Sequence, residues 1–113
     1  MKEISSSRLV RMLNDGFEGR VVFSGDIKFI ANGTPISESR GEFCLTNNSN
    51  GKSFLIEKKV DGVRAYYSNF EIRGGKSPKV DEEGGVAIPV DYIHPQEDHP
   101  GIWMMIRPEK ITY

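Results

Sequence analysis

The sequence predicts an α+β domain in which an N-terminal helix packs on a twisted, mostly antiparallel β-sheet of about six strands. The sequence does not decide whether that sheet closes into a small barrel. Apolar residues recur with a helical period only before Gly16, and from Gly19 onward they recur with a period of two. Short segments rich in Asn, Asp and Gly separate the strand-like runs, which is typical of antiparallel connections.

Length and composition place limits on the function. The chain of 113 residues fits a single domain, 1–113, and its net charge of -1 gives no overall attraction to nucleic acid or to an anionic membrane. No run of apolar residues is long enough for a membrane span, so we expect no membrane contact. Cys44 is the single cysteine, which predicts a buried structural thiol and a reducing, cytoplasmic location. We expect no cofactor.

The helix is expected over about residues 6–15. Ser5, Ser6 or Ser7 can accept a backbone N–H at its start, and the segment Asn14-Asp15-Gly16 favours a stop. An apolar stripe would attach this short helix to the sheet, and it consists of Leu9, Val10, Met12 and Leu13.

The first strands are expected over residues 21–23 and 27–30, with Gly25-Asp26 between them as a tight turn, a bulge or a bend in one long strand. Residues 32–35 have the composition of a turn, and the next strand is expected over residues 41–46. A polar turn over residues 47–51 then leads into a strand that begins near Phe54.

Asp61-Gly62 has the composition of a two-residue type I′ hairpin turn, which predicts the register of the flanking strands. Val60 is expected opposite Val63, Lys59 opposite Arg64, Lys58 opposite Ala65, Glu57 opposite Tyr66, and Ile56 opposite Tyr67. One face, the predicted core face, would carry Phe54, Ile56, Val60, Val63, Ala65 and Tyr67. The other face would carry Glu57, Lys59, Arg64, Tyr66 and Ser68.

Residues 74–85 contain two Gly-Gly pairs and mixed charges, which favours a flexible loop. The last strands are expected over residues 86–90 and 102–106, with Pro89 favouring an edge or a bulge in the first of them. Self-pairing along such an edge would produce a homodimer. In the final strand, Trp103 and Met105 should face one way and Ile102, Met104 and Ile106 the other.

Both histidines of the chain lie in the segment HPQEDHPG, residues 94–101. His94 and His99 are therefore the candidate ligands for a divalent cation, with a carboxylate from Asp91, Glu97 or Asp98. An acid/base role and an exposed loop with ordinary hydrogen bonds are the alternatives. The two prolines and the lack of helical spacing weigh against convergence of the two imidazoles on one ion.

A basic and aromatic surface is predicted on the exposed face of the hairpin. Its members are Lys59, Arg64 and Tyr66, joined by Arg73 and Lys76. Cations beside an aromatic ring can hold phosphate and stack a base, as in single-strand binders of the OB type. A solvated hairpin with cross-strand ion pairs explains the same residues, and Glu57 among them weakens phosphate affinity.

No nucleophile elbow, dinucleotide fingerprint or phosphate-binding loop occurs in the sequence. We therefore expect a small non-catalytic binding or inhibitor-type module that acts through a protein partner. Tyr92 and Trp103 are the expected members of an apolar contact patch. The alternatives are an OB-like domain that binds single-stranded nucleic acid and a metal-dependent enzyme that uses His94 and His99.

Overall fold

The computed structural model describes residues 1–48, 52–94 and 101–113. It contains one helix, α1 (Ser6–Asp15), and a series of strands. The strands are β1 (Arg20–Ala31), β2 (Thr34–Asn47), β3 (Ser53–Val60), β4 (Val63–Ile72), β5 (Lys79–Val80), β6 (Val86–His94) and β7 (Ile102–Thr112).

Six of the strands close into an antiparallel barrel. Their order is β4-β3-β2-β1-β7-β6, and pairing of β4 with β6 completes the ring, while the short β5 adds to the side of β6. Successive long strands are neighbours, so the barrel is an up-and-down meander. The predicted α+β class with a small barrel is confirmed. The meander differs from the five-stranded Greek key of OB folds, so the topology does not support the OB-like alternative.

Helix α1 has the ends that the sequence predicts. The hydroxyl oxygen of Ser5 accepts the backbone N–H of Arg8 at 3.1 Å, and Gly16, with a φ of 84°, donates its N–H to the carbonyl of Met12. Leu9 and Leu13 are fully buried, and the helix packs against β5 and β6. Phe17 donates its N–H to the side chain of Asn47, where β2 ends. The helix therefore covers the lower end of the barrel, where β1, β3 and β6 begin.

Alternate side chains of β1 point into the barrel, as expected for a strand with one buried face. Phe23 stacks on Phe43 of β2 with ring centroids 5.3 Å apart, and Phe54 stacks on Phe70 at the same distance. The core thus lies inside the ring of strands, and its densest aromatic packing is in the lower half.

The β3–β4 hairpin follows the predicted register for only two pairs. Asp61 and Gly62 have φ values of 50° and 77°, as a type I′ turn requires, and Val60–Val63 and Lys59–Arg64 are paired. Beyond them the register shifts by one residue, so that Lys58 lies opposite Tyr66 rather than Ala65. A one-residue shift exchanges the two faces of a strand, and the predicted core face is therefore wrong in its upper part.

Exposure shows the result of that shift. Ser68 and Phe70 are buried at 2% and 0% relative exposure, whereas Val60 and Val63 at the hairpin tip are 51% and 69% exposed. Tyr66 packs against the core, with its ring edge-to-face on Phe43. The bulge at Ala65 thus sends Tyr66 and Ser68 toward the barrel interior.

The structure decides between the alternatives for two other segments. Residues 20–31 form one long strand, and a register shift at Gly25 on the β7 side agrees with the bulge alternative. Pro89 lies inside β6, which pairs with β7 on one side and, before and after Pro89, with β5 and β4 on the other, so the edge alternative is wrong. The register shift of the β4–β6 pairing just after Val90 agrees with the bulge alternative. β6 is therefore not an edge strand along which two copies could pair.

In the described parts of the chain, no helix has the length and apolar character that crossing a bilayer requires.

Gly25 gives a direct test of the close contact between β1 and β7. A Cβ on Gly25 would lie 2.1 Å from the carbonyl oxygen of Arg107, and its φ of 146° is one that side chains rarely adopt. We expect Gly25→Ala to lower the free energy of unfolding by about 2–3 kcal/mol in urea denaturation. Gly74→Ala is the matched control, because nothing lies within 4 Å of its Cβ position. Equal unfolding free energies for the two variants would contradict the contact.

Candidate ligand-binding site at the upper end of the barrel

The barrel wall is open on one side near its upper end, where β1, β3 and β6 finish. β2 pairs with β3 only from Cys44 to Asn47, whereas it pairs with β1 along almost its whole length. The upper half of β2 therefore follows β1, and the β3–β4 hairpin is separated from it. This separation creates an opening between β2 and the hairpin.

Small side chains explain why the opening leads into a cavity. On the inner face of β2, Ser37 lies opposite Phe29, Ser39 opposite Ile27, and Gly41 opposite Gly25. These three β2 residues fill little volume, unlike Phe43 and Leu45 further down the same face, which are fully buried. The upper half of the interior is therefore less filled than the lower half.

The cavity has a volume of about 350 Å³. Its floor consists of the buried residues Phe29, Ser68 and Ile93, and its rim is formed by Ser37, Ala65, Tyr66 and Tyr67. An adjoining recess of about 200 Å³ shares part of this lining and extends to Ile27 and Lys58. Cavities that hold small molecules are typically about 300–1,000 Å³, mostly apolar, with a few polar groups.

Ser68 supplies an unusual polar group on the cavity floor. It is 2% exposed, and its hydroxyl oxygen has no hydrogen-bond partner among the residues that the structure describes. A buried hydroxyl without a partner costs about 1–3 kcal/mol, so native proteins rarely retain one without a compensating role. The hydroxyl is available to a molecule that enters the cavity.

Lys58 crosses the opening in the wall. Its ammonium nitrogen donates to the carbonyl oxygen of Arg40 at 2.5 Å and lies 5.9 Å from the ring centre of Phe43. The side chain runs over Gly41, where a Cβ would lie only 2.6 Å from Lys58 Cε. The glycine therefore makes room for the lysine to reach β2 from β3.

The predicted basic and aromatic surface is not assembled on one face. Arg64 forms an ion pair with Glu57 at 3.1 Å and lies 5.0 Å from the ring centre of Tyr67. Lys59 lies opposite Arg64 and is exposed, whereas Tyr66 turns toward the interior because of the bulge. The prediction that Lys59, Arg64 and Tyr66 share one face is therefore wrong, because Tyr66 lies on the opposite face.

The other predicted binding residues lie elsewhere. The half-buried Arg73 donates from Nη2 to the carbonyl oxygens of Val90 and Ile102, at 3.2 and 2.8 Å, which ties β4 to β6 and β7. Trp103 lies half-buried on the outer face of β7, as its alternation predicts, with the ammonium groups of Lys76 and Lys79 at 6.0 and 5.2 Å from its ring centre. The side chain of Tyr92 is outside the described part of the structure.

The metal prediction falls on residues that are mostly not described. His94 is the last residue of β6, opposite Asn69, but its side chain and the whole of His99 lie outside the described residues. Within residues 1–48, 52–94 and 101–113, no group of three His, Cys, Asp or Glu side chains is arranged to hold a metal ion. Cys44 is half-buried on β2, and burial raises the pKa of its thiol, which favours the unreactive protonated form.

Sequence reasoning missed the residues that form the cavity. Ser37 and Ser39 lie between the turn expected over residues 32–35 and the strand expected from Gly41, in a segment that contains few strand-forming apolar residues and was assigned to neither. The Asn32-Gly33 pair just before it is itself a hairpin signal, and it would have extended the strand upward. An alternation of small residues on that strand would then have indicated an unfilled interior.

Ser68 can be tested in the ligand-free protein. We expect Ser68→Ala to leave the free energy of unfolding unchanged or to raise it by up to about 2 kcal/mol, because an unpartnered hydroxyl is removed. Ser53→Ala is the control, since the Ser53 hydroxyl accepts a hydrogen bond from Asn48 at 2.9 Å and its loss should be destabilising. Urea denaturation of both variants measures the difference. A loss of stability in Ser68→Ala like that of the control would mean that the hydroxyl is already satisfied.

No protein-family model matches the chain, and neither a curated protein nor a solved structure matches it.

Proposed function

We propose that the protein is a non-catalytic binding domain that holds a small, largely apolar molecule in the cavity at the upper end of its barrel. The observation that carries this proposal is the unpartnered hydroxyl of Ser68 on the floor of an open cavity of about 350 Å³. An apolar cavity with one placed polar group is the usual arrangement of a small-molecule site.

The lining supports both the binding and its expected selectivity. Phe29 and Ile93 offer an apolar floor, and the rings of Tyr66 and Tyr67 stand at the rim. Burying a ligand's apolar surface here contributes about 25 cal/mol for each Å² removed from water. A ligand that also carries a hydroxyl or carbonyl group within reach of Ser68 would satisfy the buried oxygen, so such ligands should be preferred.

The proposal is non-catalytic because of the residue types around the cavity. The described lining of the cavity includes no histidine, cysteine or carboxylate, and its polar groups are the hydroxyls of Ser37, Ser68, Tyr66 and Tyr67. Glu38 lines only the adjoining recess and lies opposite Lys28, on the other side of β2 from Ser37. Serine is a weak nucleophile unless an adjacent base activates it. Binding therefore accounts for these residues better than catalysis does.

A tryptophan at the cavity rim should block binding. Ser37 is exposed and points to the inner side of β2, so Ser37→Trp places a large ring in the cavity with little effect on the core. We expect decan-1-ol, a neutral probe, to bind the wild-type protein saturably in isothermal titration calorimetry and to bind Ser37→Trp at least tenfold more weakly.

Glu42→Trp, on the same strand, is the matched control for that experiment. Glu42 is exposed and lies opposite Ser24 on the outer side of the strands, and it lines neither the cavity nor the adjoining recess, so its replacement leaves the cavity open. Equal affinities for decan-1-ol in the two variants, or no saturable binding to the wild type, would contradict the proposed function.

A protein partner is a second candidate function, and a recess beside Trp103 favours it. The recess, of about 270 Å³, lies on the outer face and is lined by Trp103, Met105 and Val80, among others. Tryptophan and methionine are enriched at protein contacts. The cytoplasmic location predicted from the single cysteine would suit either candidate.

Affinity capture from a native extract tests this second candidate. A specific partner should be retained by the wild-type protein and lost with Trp103→Ala, because truncating a central tryptophan typically costs about 2 kcal/mol or more of binding energy. Val22→Ala, a truncation of another half-buried side chain on the outer face of the barrel, should retain the partner. If every captured protein is retained equally by both variants, Trp103 is not part of a contact surface.

A further inference from the structure

We propose that the ligand of the cavity is an anionic amphiphile, a medium-chain carboxylate, whose carboxylate binds the ammonium group of Lys58. This inference rests on the proposed function, since it names the chemical class of the molecule in the same cavity. It comes from the position, the burial and the partners of a single lysine.

Lys58 stands where the polar end of a ligand would lie. It lines the recess that adjoins the cavity, and both spaces share Phe29, Ser37, Ala65 and Tyr66. A ligand whose apolar chain packs on Phe29 and Ile93 can therefore extend past Tyr66. Its polar end then reaches Lys58 without passing through the barrel wall. The recess opens toward solvent, so a charged group entering it keeps part of its hydration.

The charge of Lys58 lacks a carboxylate partner. The described ion pairs join Arg40 with Asp26 and Glu109, Arg64 with Glu57, and Arg107 with Glu83, and Lys58 is in none of them. Its described hydrogen bond goes to a neutral carbonyl oxygen, that of Arg40. The Lys58 side chain is half-buried while its ammonium lies in an exposed position, so an anion in the recess can reach that charge.

A carboxylate is a better acceptor for this lysine than the Arg40 carbonyl. The bond from the Lys58 ammonium to the carbonyl is charged on the donor side alone, whereas a carboxylate adds the attraction of an opposite charge. Lys58 has a flexible stem, so its ammonium can move from the carbonyl to a ligand within the same recess. Glu38 contributes to the recess lining, but it lies opposite Lys28, on the other side of β2 from Ser37 and Ser39.

Titration calorimetry with decanoate and decan-1-ol tests the inference, since the two probes share a chain length and differ in charge. We expect the wild-type protein to bind decanoate about tenfold or more tightly than Lys58→Met does, which corresponds to a lost charged hydrogen bond. Decan-1-ol should bind both proteins within about twofold, which also shows that Lys58→Met keeps the cavity folded. Lys58→Arg should restore most of the decanoate affinity.

Lys59→Met is the matched control, because Lys59 is the next residue and is exposed away from the recess. It should change the decanoate affinity by less than about twofold. Equal loss of decanoate affinity in Lys58→Met and Lys59→Met would overturn the inference, as would an unchanged affinity in Lys58→Met. If decan-1-ol binds the cavity but decanoate gains nothing from Lys58, the ligand class is wrong and the proposed function stands. If neither probe binds the wild-type protein, the inference about the ligand class and the proposed function are both wrong.

Discussion

The pairing of β1 with both of its neighbouring strands determines where the barrel wall is closed and where it is open. β1 lies between β2 and β7 and is hydrogen-bonded to both, and near its middle the backbone of Gly25 lies against the carbonyl of Arg107. Only a residue without a side chain fits there. Because β1 pairs with β2 up to Thr34, it draws the upper half of β2 away from β3, whose pairing with β2 ends at Cys44. The opening and the cavity follow from this unequal pairing.

Charged groups have a different role on the two sides of the wall. Outside, Arg40 contacts Asp26 and Glu109, and such exposed ion pairs contribute little to stability because water and salt screen them. Inside, the stability comes from stacked aromatic rings and fully buried aliphatic side chains. Lys58 is the exception, since its stem packs over Gly41 and Phe43 while its charge remains in the recess. The charged residues on the outer surface therefore do not indicate where the ligand site lies.

Local signals predicted much of the fold. The Ser5 cap, the Gly16 stop and the Asp61-Gly62 turn depend on a few neighbouring residues, and the structure contains all three. Barrel closure depends on pairing of β4 with β6, a contact between strands whose alternation is equally compatible with an open sheet. The cavity was beyond prediction for a related reason. Its lining combines β1, β2, β4 and β6, and the bulge at Ala65 that turns Ser68 inward leaves no recognisable pattern in the sequence.

That bulge also affects how this barrel can tolerate change during evolution. Ala65 is the extra residue between the Lys59–Arg64 and Lys58–Tyr66 pairs, so its deletion would remove the bulge and still leave Tyr66 opposite Lys58. If Ala65 instead paired with Lys58, as in a regular hairpin, Tyr66 and Tyr67 would exchange between the interior and the surface, although the sequence was unchanged. The inward orientation of Tyr66 and Ser68 should therefore tolerate the loss of Ala65, whereas it would not survive a loss of the bulge at constant length.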